Sequence, residues 1–138
     1  MKKTLYFTDW EYTDEIIEEE MRDINRQLFD NGVKDCVVTE FTQLPPFVGH
    51  SEEKRYDVLF FDFGGVMTVC YSVVSNFIEC ILKEAPDYPN RYYVVTSTFS
   101  MLLDEFKSVV SDFFGGEKPF NVFYSIDEFC EYYKKYES

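Results

Sequence analysis

Histidine is almost missing from this 138-residue chain; His50 is the only one. A hydrolytic triad needs an imidazole to take the proton from its nucleophile, and Ser72, Ser97 and Ser100 have no accompanying histidine, so no triad candidate is seen. The four cysteines, at positions 36, 70, 80 and 130, form neither a CxxC pair nor a Cys-His pairing, so a zinc site cannot be completed with these spacings. Cys36 and Cys80 fall inside apolar periodic stretches, where a free thiol packs as a small hydrophobe. Basic residues are scarce, 13 Lys and Arg against 26 Asp and Glu, which argues against direct binding to nucleic acid because phosphate backbones need clustered cations. Neither a P-loop nor a GxGxxG is present, so nucleotide binding has no motif behind it. No apolar stretch nears the roughly 20 residues of a membrane span, so no membrane partner is expected. The start, Met-Lys-Lys-Thr-Leu-Tyr-Phe-Thr-Asp, turns polar too early for a signal peptide. A reduced, cytoplasmic setting is expected.

Aromatic residues are abundant at 20%, with fifteen Phe and eleven Tyr. Each ring buries a large area with few rotatable bonds, so a rigid core built from rings is expected, and disorder is not. The length suits one domain over residues 1–138. The net charge of −13 favours solubility and would steer basic partners toward the surface.

Strand-like and helix-like stretches alternate along the whole chain. Residues 3–9 read as a strand, and Thr13 as the N-cap of a helix opened by Asp14, Glu15, Glu18, Glu19 and Glu20. Acids there complement the helix dipole, and Glu18 is one turn before Arg22. Ile17, Met21, Ile24 and Leu28 make its buried stripe, and Asn31-Gly32 stops it. A second strand is expected over 36–42, followed by a long polar connection from Gln43 to Arg55 that contains Pro45-Pro46 and His50. Val58 to Asp62 reads as a strand covered on both faces. Gly64-Gly65 ends it as a tight turn, and a helix from about Tyr71 to Glu84 is stopped by Ala85-Pro86. A fourth strand spans 91–96. Ser100 caps a helix with Leu103, Phe106, Val110 and Phe113 inward, terminated by Gly115-Gly116. A fifth strand covers 120–124. Ser125-Ile-Asp-Glu128 is a capping box that opens a last helix, whose Phe129, Tyr132, Tyr133 and Tyr136 are expected to pack on the sheet.

This order predicts an α/β three-layer sandwich with a five-stranded, mostly parallel sheet in the flavodoxin-like order 2-1-3-4-5. The first and third strands are then neighbours at the switch point, and Asp9 and Asp62 face each other across the crevice at their carboxyl ends. No cofactor is expected; the alternative is Mg²⁺, which two carboxylates so placed can hold.

Tyr56-Asp57-Val-Leu-Phe-Phe-Asp62 resembles the third strand of the receiver domain of bacterial response regulators, which ends in the phosphate-accepting Asp. The resemblance implies Asp62 as acceptor, Asp9 (with Glu11) as the acidic Mg²⁺ ligand, and Thr96 or Ser97 as the hydroxyl ending the fourth strand. Receivers carry adjacent acids where this chain has Asp9-Trp10, and a Lys at the end of the fifth strand where it has Tyr124-Ser125. Without that Lys a phosphorylated Asp62 lacks its charge-assisted partner, so the resemblance implies a degenerate receiver that no longer takes phosphate. Phe61-Asp62-Phe63-Gly64-Gly65-Val66 also looks like the first motif of haloacid dehalogenase-like hydrolases, with Asp62 as nucleophile and Thr96 or Ser97 as the phosphate-binding hydroxyl. In that family the motif sits on the first strand of the core.

A strand-end carboxylate can also simply cap backbone amides or face water. The catalytic inventory is thin while charge and aromatics are plentiful, so a non-catalytic interaction or regulatory protein is favoured over an enzyme. Its partner is expected to be a protein with a basic surface, and self-association as a homodimer stays open. The alternative is a Mg²⁺-dependent phosphoryl-transfer or phosphatase domain acting through Asp62.

Overall fold

The computed structural model describes residues 2–8, 13–43, 56–62, 89–97, 100–119 and 121–137. Within them run β1 (Lys2–Thr8), α1 (Asp14–Asp30), β2 (Cys36–Gln43), β3 (Val58–Asp62), β4 (Tyr92–Thr96), α2 (Ser100–Phe113), β5 (Val122–Phe123) and α3 (Ile126–Tyr136). The strands form one parallel sheet in the order β2-β1-β3-β4-β5, the flavodoxin-like arrangement expected from the alternation. The expected helix at 71–84, the Gly64-Gly65 turn, and Pro45-Pro46 and His50 of the polar connection lie outside the described residues, as do Asp9, Trp10, Glu11, Ser72, Cys70 and Cys80. Among the described residues no helix is long and apolar enough to cross a membrane.

Period-two alternation along the central strands builds two cores, one on each face of the sheet. Val58 and Phe60 of β3, with Tyr92 and Val94 of β4, point to the side covered by α1 and α3. Leu59, Phe61, Tyr93 and Val95 point to the opposite side, where Phe106 and Val110 of α2 meet them. Every one of these residues is buried, which explains why the strands read as unbroken apolar runs.

Local signals set the helix ends. Thr13 Oγ1 accepts from the Ile16 N–H (3.4 Å), and Gly32 beyond the C-cap Asn31 takes φ +88°, a left-handed turn open to glycine at little cost. Ser125 Oγ accepts from Glu128 N–H (3.0 Å), while the Glu128 carboxylate reaches Tyr124 N–H (3.3 Å). This is a capping box displaced by one residue on its return side. Ser100 is already the first residue of α2 and not its preceding cap.

Two inward expectations are corrected. Phe113 is 52% and Tyr136 60% exposed; each is the last residue of its helix. Phe114 packs against the α2-side core in place of Phe113, and Cys130 is fully buried under α3. β5 has two residues where five were expected, because Val122 N–H turns back to the Pro119 carbonyl (3.2 Å) and Ser125 already caps α3.

The chain closes part of both sheet edges itself. On β2, the outward N–H and C=O of Val38 bond to the Asn25 side-chain amide of α1, at 2.8 and 3.1 Å. On β5, the Val122 N–H meets Pro119 and its C=O accepts from Lys118 Nζ. A strand edge with its polar groups satisfied is a poor template for pairing with another chain.

Candidate functional site at the carboxyl end of the sheet

Parallel strands joined by helical crossovers bring all strand carboxyl ends to one side of the sheet, together with the amino ends of the following helices. This rim is where open α/β sheets bind ligands. Register places Asp62 at its centre, paired with Thr8 of β1 and Thr96 of β4. Asp62, Thr96 and Ser97 are half-buried. The structure therefore brings Asp62 beside Thr96. Asp9, the other half of the expected Mg²⁺ pair, lies outside the described residues.

Asp62 follows Phe60 by two positions and so faces the α1 side. There it accepts a hydrogen bond from the Tyr6 hydroxyl (2.9 Å). Tyr6 is buried and pairs with Phe60, and its ring is long enough to reach the residue diagonally ahead on β3. Neither Tyr6 nor its partner role was legible as a site residue. The available signal was a tyrosine on the same face, two steps before the strand end. Thr96 Oγ1 donates to the Phe61 carbonyl (3.3 Å), a backbone tie between β3 and β4.

Glu20 of α1 completes the cluster. Its pKa is raised, first by burial and then by the neighbouring carboxylates of Asp62, Asp23 and Glu19. The rest of the acid run is a solvated face, with Asp14, Glu15, Glu18 and Glu19 exposed. Asp14 and Glu15 in the first turn of α1, and Asp127 and Glu128 in that of α3, add negative charge to the same rim. Such a rim repels phosphate and attracts ammonium and guanidinium groups. Among the described residues no group of three or more His, Cys, Asp or Glu side chains is placed to hold a metal ion.

The end of β5, where a receiver carries its lysine, is occupied by Tyr124 and the helix-capping Ser125. Lys118 instead stands before β5, bonded to the Val122 carbonyl and 3.6 Å from the Glu128 carboxylate. Of the thiols among the described residues, burial, above all, pushes Cys36 up to about 12 and Cys130 to about 11, which disfavours the nucleophilic thiolate in both.

The Glu20 environment has a measurable consequence. A carboxyl group with a raised folded-state pKa favours folding fully below its unfolded value, and that contribution is lost as pH rises through the raised value. Glu20→Gln should therefore stabilise the protein at pH 7 by about 0.5 kcal/mol, the scale of a solvent-screened like-charge contact. The gain should vanish in acid, where Glu20 is itself neutral. Urea midpoints across this pH range test it; a variant no more stable than the parent at pH 7 would refute the repulsion.

No family model matches the chain, and no curated protein matches it at a significant level.

Proposed function

We propose that this chain is a non-catalytic binding protein that takes a basic protein partner on the acidic rim of its sheet and the adjoining half of α1. The observation that carries this reading is the setting of Asp62. Its carboxylate accepts a hydrogen bond from Tyr6 and is near enough to Glu20 for the two negative charges to repel, a setting that draws cationic groups. A degenerate receiver-like regulator, docking through its helix and loop surface, is one form of this reading. An acidic inhibitor that masks a basic, nucleic-acid-binding surface of another protein is the other. The partly closed sheet edges favour docking on a helix face over strand addition, for a partner or for a second copy. The free thiols of Cys36 and Cys130, the two cysteines among the described residues, fit a reduced cytoplasmic compartment.

Salt separates the two forms. The immobilised chain should retain a basic protein from its native host, and charge masking predicts that retention weakens at least about tenfold between low and high ionic strength. Retention that ignores salt would favour the receiver-like form. An acidic retained partner, or none, would overturn the proposal.

The register pairing of Asp62 with Thr96 supports the second reading, a Mg²⁺-dependent phosphoryl-transfer or phosphatase domain. In that case Mg²⁺ with beryllofluoride, which imitates an acyl phosphate, should raise the melting temperature by mass action. Asp62→Asn should abolish the rise. The expected result is no shift, because Tyr6 already engages the carboxylate and no lysine ends β5. A shift that depends on Asp62 would install the enzyme reading instead.

A further inference from the structure

Beside β5, three rings stand in a row along the outer wall of α3. Phe123 and Tyr132 have centroids 5.3 Å apart, and Tyr132 and Tyr136 stand 4.5 Å apart, tilted by 37°. They floor an open trough of about 530 Å³. At each end one of the chain's own lysines sits over a ring. Lys118 Nζ is 5.0 Å from the Phe123 centroid, and Lys135 Nζ is 5.4 Å from that of Tyr136. These ring faces thus accept cations. Lys118 is further tied to the Pro119 and Val122 carbonyls and to Glu128. Glu128 and Glu131 supply carboxylates to the same trough, with Glu131 exposed and Glu128 half-buried.

We infer that this trough seats an arginine side chain of the basic partner. The inference rests on the function proposed above and extends the contact from the rim, at Glu128 in the first turn of α3, along that helix to Tyr136. Two lysines balance the two carboxylates within the trough, but Lys118 is already tied to Glu128, and an anionic ligand would still approach against the net charge of −13. A guanidinium is flat and weakly hydrated, so it can lie on a tyrosine face while its N–H groups reach a carboxylate. An ammonium is compact and strongly hydrated and gains less from the same setting. The arginine lies along Tyr132 and Tyr136, displaces Lys135 from the outer ring, and pairs with Glu131.

Hexa-arginine and hexa-lysine carry equal charge, so an acidic surface without a specific seat binds them alike. Titrations followed by backbone and tyrosine-ring NMR shifts should show hexa-arginine binding about fivefold tighter, the equivalent of one exposed cation–π contact. The shifts should centre on residues 123–136. Tyr136→Ala combined with Glu131→Gln should bring hexa-arginine down to the affinity of hexa-lysine. Both side chains are exposed, and an unchanged spectrum elsewhere verifies the fold. Equal binding of the two peptides to the parent protein, or a preference that survives the double variant, would overturn the trough as the seat while the acidic-rim reading stands. If neither peptide binds at low salt, the acidic-rim reading falls and takes this inference with it.

Discussion

Phe129→Ala should cost about 3–5 kcal/mol, the range for emptying a fully buried aromatic site. Phe129 has no solvent exposure. Its ring is 6.0 Å from Phe60, 5.7 Å from Tyr92, 5.5 Å from Phe123 and 5.6 Å from Tyr133. One residue therefore joins α3 to β3, β4 and β5, and neighbouring rings are too stiff to collapse into the space it leaves. A domain of this size has only about 5–15 kcal/mol of stability in all, so the variant should sit close to unfolding at room temperature. Urea titration followed by far-UV circular dichroism measures the loss. Phe129→Leu, which refills most of the volume, should lose less than half as much. A loss below about 1 kcal/mol for the alanine variant would mean that α3 is not seated on the sheet as described.

Glu15, Glu18 and Glu19 replaced together by lysine should weaken capture of the basic partner by about 10- to 100-fold at low salt. All three side chains are exposed on α1 next to the rim, and the exchange removes nearly half of the net charge of −13. The change should appear mainly in the association rate, since removing a steering field slows encounter more than it hastens release. Cations near a helix amino end oppose the dipole by only a few tenths of a kcal/mol each, so the fold should survive. The triple glutamine variant should fall between the parent and the lysine variant. Unchanged association rates in the lysine variant would move the docking surface away from α1.

Tyr133 and Tyr92 show how long-range contacts complete what the helix pattern begins. Tyr133 donates to the Asp35 carboxylate (2.6 and 2.7 Å), ninety-eight residues away in sequence, and Tyr92 donates to Glu137. Both bonds fasten α3 to the amino end of the sheet. Helical spacing put Tyr133 on the inward side, but nothing local identified Asp35 as its acceptor.

The sequence by itself determined the kinds, order and most boundaries of the described elements. It also determined the strand order, because its signals are local or topological. Four-three-four spacing along Ile17, Met21, Ile24 and Leu28 can only be a helix stripe. Thr13 and Gly32 mark its ends by side-chain chemistry and left-handed backbone, and short right-handed crossovers leave few ways to order five parallel strands. It also placed Asp62 at the switch point beside Thr96. Only the tertiary structure decided the company these residues keep. The Tyr6 bond to Asp62 depends on the β1–β3 register, and the raised pKa of Glu20 on how α1 lies across that pair. The Asn25 clamp depends on α1 reaching the outer edge of β2. Periodicity assigned Phe113 and Tyr136 to inward stripes, yet both are more than half exposed at the last residue of their helices. A periodic pattern gives the direction of a side chain about its own helix axis. Whether another element lies in that direction is set by the packing of segments far apart in the chain.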